Sequence, residues 1–131
     1  MCFDRAVSEL LPPHAGTSVP RTGASLLADY ASMVEAICEG YGDNIYEYDN
    51  DLSVRSFIER VLTEHSLAAM AGFDAFAVRA AELDEALKRC LTEESWTSAP
   101  EWWYQRLPLR AGAGLVADMR DRYGYVAAEI S

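Results

Sequence analysis

Lysine is almost missing from this chain: Lys88 stands alone, and the other ten of the 11 basic residues are arginines. Against them stand 21 acidic residues, for a formal net charge of -10. Such a surface repels phosphate backbones, which disfavours direct nucleic-acid binding and makes a basic protein or a cation the natural counterpart. Cysteine is scarce as well. Cys2, Cys38 and Cys90 are isolated and odd in number, with no C-x-x-C pair, so they read as reduced thiols outside any disulfide framework or thiolate zinc site. Cys38 and Cys90 fall on apolar stripes and read as small hydrophobes, while Cys2 reads as exposed. Histidine occurs only twice. His14 lies in a proline-rich arm and His65 reads as a packed residue at a helix end, an inventory too thin for histidine-assisted nucleophilic catalysis. No run of ~18 apolar residues is present to span a bilayer. The start of the chain mixes acids with Pro12-Pro13 instead of following a charged region with an apolar one. A cytoplasmic location is the expectation.

What is present is ordinary globular composition, 50% hydrophobic and 24% charged over 131 residues, a length that fits one domain, 1–131. The expected fold class is all-α: a small helical bundle of about four main helices, a short Trp-rich cross helix and an N-terminal arm. Residues 1–23 open with an amphipathic stretch, Phe3 to Leu11. Pro12, Pro13, Gly16, Pro20 and Gly23 then predict a partly extended arm before a helical core over 24–131. After Thr22 and Ser25 as caps, Leu26, Leu27, Tyr30, Met33, Val34, Ile37, Cys38 and Tyr41 recur at helical spacing until Gly40 and Gly42 stop the helix. A second helix is expected from Asn50 to Ser53 onward, with Val54, Phe57, Ile58, Val61, Leu62 and His65 inward and Arg60 paired with Glu64 outside. A third spans about Ser66 to Leu91. Pro100 and Pro108 bracket a short helix over Glu101–Leu107, and a last one runs from about Ala113 to Tyr123, with Gly124 as its C-terminal cap.

Charge is uneven along the chain. Between Arg21 and Arg55 there is no Lys or Arg, while Asp29, Glu35, Glu39, Asp43, Glu47, Asp49 and Asp51 place seven carboxylates there. The densest part, Asp43 to Asp51, also carries Tyr46 and Tyr48, and it reads as an acidic, tyrosine-bearing connection between two helices. Asp49-x-Asp51-x-Ser53 opens like a calcium loop, but Val54 and Arg60 stand where that loop needs glycine and glutamate. A non-standard cation site built from Asp43, Glu47, Asp49 and Asp51 competes with helix capping by Asn50 or Asp51, and capping is the favoured reading. Gly112-x-Gly114-x-x-Ala117 matches the dinucleotide fingerprint as a string, yet no central strand precedes it, and the chain ends before the acid expected ~20 residues later. These glycines read as a turn that lets the last helix pack closely.

Glu82-x-x-Glu85 and Asp118-x-x-Asp121 resemble the paired acidic motifs of the all-α nucleotide pyrophosphohydrolases of the MazG and dUTPase type. That resemblance implies magnesium held by these residues on bundle helices. At about 100° per residue both pairs point away from the apolar stripes, whereas ligands of a bundle metal face inward. Trp96, Trp102, Trp103 and Tyr104 gather all three tryptophans within a short stretch. One ring is expected to plug the bundle end while Trp102 stacks on Arg106, one turn away.

The function expected from charge and elimination is a small acidic protein-interaction module of the immunity, antitoxin or adaptor kind that binds a basic protein. Its partner-binding candidates are Asp43, Tyr46, Glu47, Tyr48, Asp49, Asp51, Trp102, Trp103 and Arg106. No cofactor and no catalytic residue is assigned. A metal-dependent all-α phosphohydrolase-like enzyme and a structural subunit that self-associates through the Trp-rich face are the alternatives.

Overall fold

A computed structural model describes residues 2–14 and 16–130; residues 1, 15 and 131 lie outside the described residues. The chain is mostly helical, in the order α1 (Phe3–Leu10), α2 (Gly23–Glu39), α3 (Ile45–Thr63), a 3-10 turn (His65–Leu67), α4 (Phe73–Lys88), α5 (Trp102–Gln105), β1 (Arg110–Ala111), α6 (Ala113–Tyr123) and β2 (Ala128–Glu129). The most extensive packing is that of α2 against α4 and α3.

The central helix follows its sequence signals closely. The Thr22 side chain accepts from the Ser25 backbone while the Ser25 side chain accepts from the Thr22 backbone, a reciprocal cap that satisfies two otherwise orphan donors. Leu26, Tyr30, Met33, Val34 and Ile37 are buried on one stripe, each large apolar side chain worth roughly 1.5–3 kcal/mol of transfer free energy. Gly40 ends the helix at φ 116, and a Cβ there would lie 2.5 Å from the Ile130 side chain of the C-terminal segment. A left-handed backbone and a close approach therefore both require glycine at this point.

The N-terminal residues are more than an arm. The helix α1 buries Ala6 and Val7, its Phe3 ring packs against Phe73 and Phe76 at 6.3 and 5.5 Å, and Asp4 accepts a hydrogen bond from the Gly23 amide at the start of α2. The irregular stretch after it is tied down by Arg21, which donates to the Pro12 and Pro13 carbonyls and stacks over Phe57 at 4.2 Å.

Elsewhere the boundaries move. The helix expected over Ser66–Leu91 begins only at Phe73, because Gly72 takes a left-handed φ of 97 and the preceding residues form turns. His65 is exposed in that turn instead of packed. Arg60 donates to the Leu10 carbonyl at 3.1 Å and Glu64 accepts from Ser66, so the expected Arg60–Glu64 pair is not formed. The Trp-rich helix is only four residues long. In contrast, α6 has the expected bounds, with Leu115, Val116 and Met119 buried and Gly124 capping at φ 73. Gly112 precedes it as a close-packing point, where a Cβ would lie 3.3 Å from the Gly42 Cα. A short ladder lies beside it, with β1 pairing in parallel with β2 and bridging to Tyr41 on its other side.

The largest departure concerns the cysteines. Cys38, at the end of α2, and Cys90, just past α4, form a disulfide with Cα atoms 5.1 Å apart and lie 52 positions apart in sequence. The expectation of three reduced thiols is thereby corrected, and Cys2 alone is free and exposed. The apolar stripes that suggested small hydrophobes are the same stripes that bring the two helix ends together.

Candidate functional site

The acidic segment is not a connection. Asn44 is the N-cap of α3, its Oδ1 accepting from the Glu47 amide at 3.0 Å, and Asp118 on α6 accepts from the Ile45 amide at 3.0 Å. The helix therefore starts about two turns before the expected position near Asn50 to Ser53. Capping is served by Asn44 and Asp118, not by Asn50 or Asp51. Helical spacing then sorts the candidates by direction. Ile45, Tyr48 and Leu52 enter the core, Tyr46 is 71% exposed, Asp43, Glu47 and Asp51 face solvent, and Asp49 is half-buried. Tyr48 and Trp103 are buried, so neither is available at a surface as the chain stands.

Two cavities flank these turns. One of about 470 Å³ lies toward α2 and is lined by Asp29, Asp51, Tyr41 and Phe57 together with the chain's own His14 and Arg21. Here the carboxylates already have partners in the chain: His14 Nδ1 lies 3.7 Å from Asp29, and the Tyr41 hydroxyl donates to Asp51 at 2.5 Å. Burial first, and then the hydrogen bond to Asp51 and the charges of Asp51, Asp43 and Glu47, push the Tyr41 phenol well above its ordinary range, so it stays a donor. Of these three carboxylates, Asp51 is the one that the hydroxyl touches. The other cavity, about 690 Å³, lies on the far side of Asp49 and is lined by Trp96, Thr97, Ser98, Ala99, Tyr104 and Tyr123, with no basic residue.

Among the described residues no group of three His, Cys, Asp or Glu side chains converges as a metal-ligand set. Glu82 and Glu85 are exposed on α4 and pair with Arg79 and Lys88 at 3.5 Å each, while Asp118 is occupied as the cap of α3. The paired motifs that resembled a magnesium site therefore do not face one another across a core.

Of the seven carboxylates between Arg21 and Arg55, only Asp29 has an ion pair; among the described residues the other six have none. Burial raises the Asp49 carboxyl above its ordinary value of 3.8, and the charge of Arg122 only partly counters this. An acid whose value is raised by folding contributes most to stability when protonated, and that contribution is lost as pH rises through the raised value. Asp49→Asn should accordingly match the wild type in acid and exceed it by about 1–3 °C in Tm at pH 7. Thermal melts of both proteins across that range test this, and a variant less stable at pH 7 than in acid, relative to wild type, contradicts it.

One tryptophan of α5 lies in the core and the other under a cation, but that cation is not the expected one. Trp103 is buried, donates from Nε1 to Ser56 Oγ at 3.2 Å, and lies 4.4 Å from the guanidinium of Arg55. Trp102 is half-buried under Lys88 at 4.8 Å. Arg106 is not its partner: its amide still closes the last turn on the Trp102 carbonyl, but its backbone is extended (φ -98, ψ 152) and Lys88 is the cation over that ring. Arg106 lines a separate surface cavity with Glu85, Lys88 and Tyr125.

The constellation that sequence reading missed is internal. Arg55, 4% exposed, donates to both oxygens of Asp84 at 2.8 and 3.0 Å and to Glu59 at 3.0 Å, while the Tyr30 hydroxyl donates to Asp84 at 2.6 Å. Burial alone would lower the Arg55 value, but the hydrogen bonds and charge of Asp84 and Glu59 outweigh it and hold it above the ordinary range. All these groups partner one another, so the network reads as structural. Its only sequence signal was an arginine at the edge of a basic-free stretch, on a stripe otherwise apolar.

No family model, no curated protein and no solved structure matches this chain. The functional reading therefore stands on the geometry and charge of its own residues.

Proposed function

We propose that this protein is a small acidic interaction module, of the immunity, antitoxin or adaptor kind, that docks on a basic protein. The observation that carries the reading is the run of six carboxylates without ion pairs from the C-terminal half of α2 through the first turns of α3, with Tyr46 standing 71% exposed among them. On α4, by contrast, Glu82 and Glu85 sit beside their own cations. Acidic charge in excess around an exposed aromatic, with Arg122 resting 5.5 Å from that ring, steers and anchors an oppositely charged partner. The docking face comprises Asp43, Tyr46, Glu47, Asp49 and Asp51. In the architecture we propose, α2, α3, α4 and α6 form the bundle and α5 closes one end as a cross-piece.

Location carries a condition. No helix of the described residues is long and apolar enough to cross a membrane. In a reducing cytoplasm the Cys38–Cys90 bond would be open, and the working form there would be the dithiol.

The test is a matched charge reversal. Asp43→Lys/Glu47→Lys/Asp51→Lys should weaken binding of an octa-arginine peptide about tenfold at moderate salt, whereas Asp74→Lys/Glu82→Lys/Glu85→Lys, of equal net charge, should weaken it only about twofold. Equal losses in the two variants would mean bulk charge without a docking face and would sink the proposal.

A further inference from the structure

The cavity beyond Asp49 differs from the one toward α2 in having a tryptophan and two tyrosines in its walls, one carboxylate and no cation among its lining residues. Trp96, Tyr104 and Tyr123 supply the rings and Asp49 the charge. The Trp96 side is held firmly. The Trp96 amide donates to the Gln105 carbonyl at 2.7 Å, Thr97 Oγ1 donates to the Tyr104 carbonyl at 2.9 Å, and Gln105 Nε2 donates to the Ala99 carbonyl at 2.8 Å. The Trp96 ring is backed by Tyr125 at 5.0 Å yet remains 37% exposed. This wall is preorganised on α5 and does not need to order on binding.

Asp49 is the carboxylate of that cavity, half-buried and without an ion pair among the described residues, so it is the group a bound ligand would complete. The chain supplies its own precedent for what that ligand is. Arg122, fully exposed, rests 5.5 Å from the centre of the Tyr46 ring, and the charge of Asp49 bears on it. Inside the core, Arg55 combines a carboxylate with a tryptophan face in the same way.

We infer that the cavity formed by Asp49, Trp96, Tyr104 and Tyr123 is a receptor for an arginine side chain of the basic partner, its guanidinium stacked on the tryptophan and paired with the carboxylate. The chemistry favours arginine over lysine, because a planar, weakly hydrated guanidinium stacks on aromatic faces and meets a carboxylate along two parallel hydrogen bonds, while an ammonium is a compact, strongly hydrated charge. At about 690 Å³ the space is far larger than one cationic head group and accommodates the flanking peptide as well. This inference rests on the reading of an acidic docking face and names its anchor.

The experiment titrates the full chain with Nα-acetyl-arginine amide, its lysine counterpart and the uncharged citrulline counterpart, following the Trp96 indole and the Asp49 and Tyr123 amides by NMR. Saturable shifts at these three residues are expected for the arginine compound, with Kd about millimolar, weaker binding of lysine and none of citrulline. Asp49→Asn should weaken the arginine compound about tenfold or more at unchanged Tm or above. Trp96→Leu, at a partly exposed position, should weaken it independently. No saturable shift at Trp96, or equal binding of citrulline, overturns the assignment. So does full affinity in Asp49→Asn. If the pocket fails but octa-arginine still distinguishes the two charge-reversal variants, the docking face survives without this anchor. If the pocket binds arginine and octa-arginine does not distinguish them, the docking face is what fails.

Discussion

Asp84→Ala should be among the most destabilising single substitutions in this chain, costing about 3–5 kcal/mol. Arg55 has almost no access to water, and its charge is matched by a bidentate contact to Asp84, one contact to half-exposed Glu59, and the Trp103 face. Removing Asp84 strands the guanidinium, because Glu59 reaches only one of its donors, and it also strands the Tyr30 hydroxyl, which donates to the same carboxylate. Two desolvated donors left without acceptors are worse than the loss of the attraction itself. Domains of this kind are stable by about 5–15 kcal/mol, so the variant would sit close to its unfolding threshold. Urea denaturation followed by tryptophan fluorescence should show a lower midpoint at an unchanged slope. The triple variant Tyr30→Phe/Arg55→Met/Asp84→Leu should recover most of the loss, since it leaves neither a buried charge nor the Tyr30 hydroxyl without a partner. A loss below about 1 kcal/mol for Asp84→Ala would show that water reaches Arg55 and that the network is not closed.

How much of this was legible in the sequence depends on the range of each interaction. The helices α2 and α6 are written locally: Thr22 with Ser25, Gly40, and Gly124 lie within a few residues of the backbone groups they serve. The start of α3 was ambiguous because Asn44 and the later pair Asn50 and Asp51 are all competent caps. The signal that decides it, Asn44 three residues before Glu47 with Ile45, Tyr48 and Leu52 at helical spacing, was present but outweighed by turn-forming composition. The second cap could not be read at all, because Asp118 reaches Ile45 across 73 residues. Arg55 and Asp84 meet across 29 residues. Nothing local distinguishes that aspartate from its exposed neighbours Glu82 and Glu85 except its position on the helix face. The acidic character of the candidate face was legible from composition. Which of its residues point outward was not, and the start of α3 decides that: it buries Tyr48, exposes Tyr46 and turns Asp49 toward the tryptophan side.

The disulfide gives the second large effect. Joining residues 52 apart restricts the unfolded chain far more than the folded one, and in the chain-entropy account a loop of this length is worth about 4 kcal/mol. At the size of this chain that corresponds to about 15 °C in Tm. Protein melted with and without reductant should differ by that order, and Cys38→Ala/Cys90→Ala should melt near the reduced wild type and ignore reductant. Alkylation gives an independent readout: without reduction, denatured protein should take one label, at Cys2, and after reduction three. Three labels before reduction would refute the bond. The location of the bond gives the result a functional reading. It ties the end of α2 to the residue just past α4, and the end of α2 leads through Tyr41 directly into the acidic turns of α3. If the docking face depends on that tether, octa-arginine binding should weaken on reduction under conditions where the protein remains folded. If binding is unchanged, the contacts of Asp118 and Tyr41 suffice to hold the face, and the bond acts on stability alone.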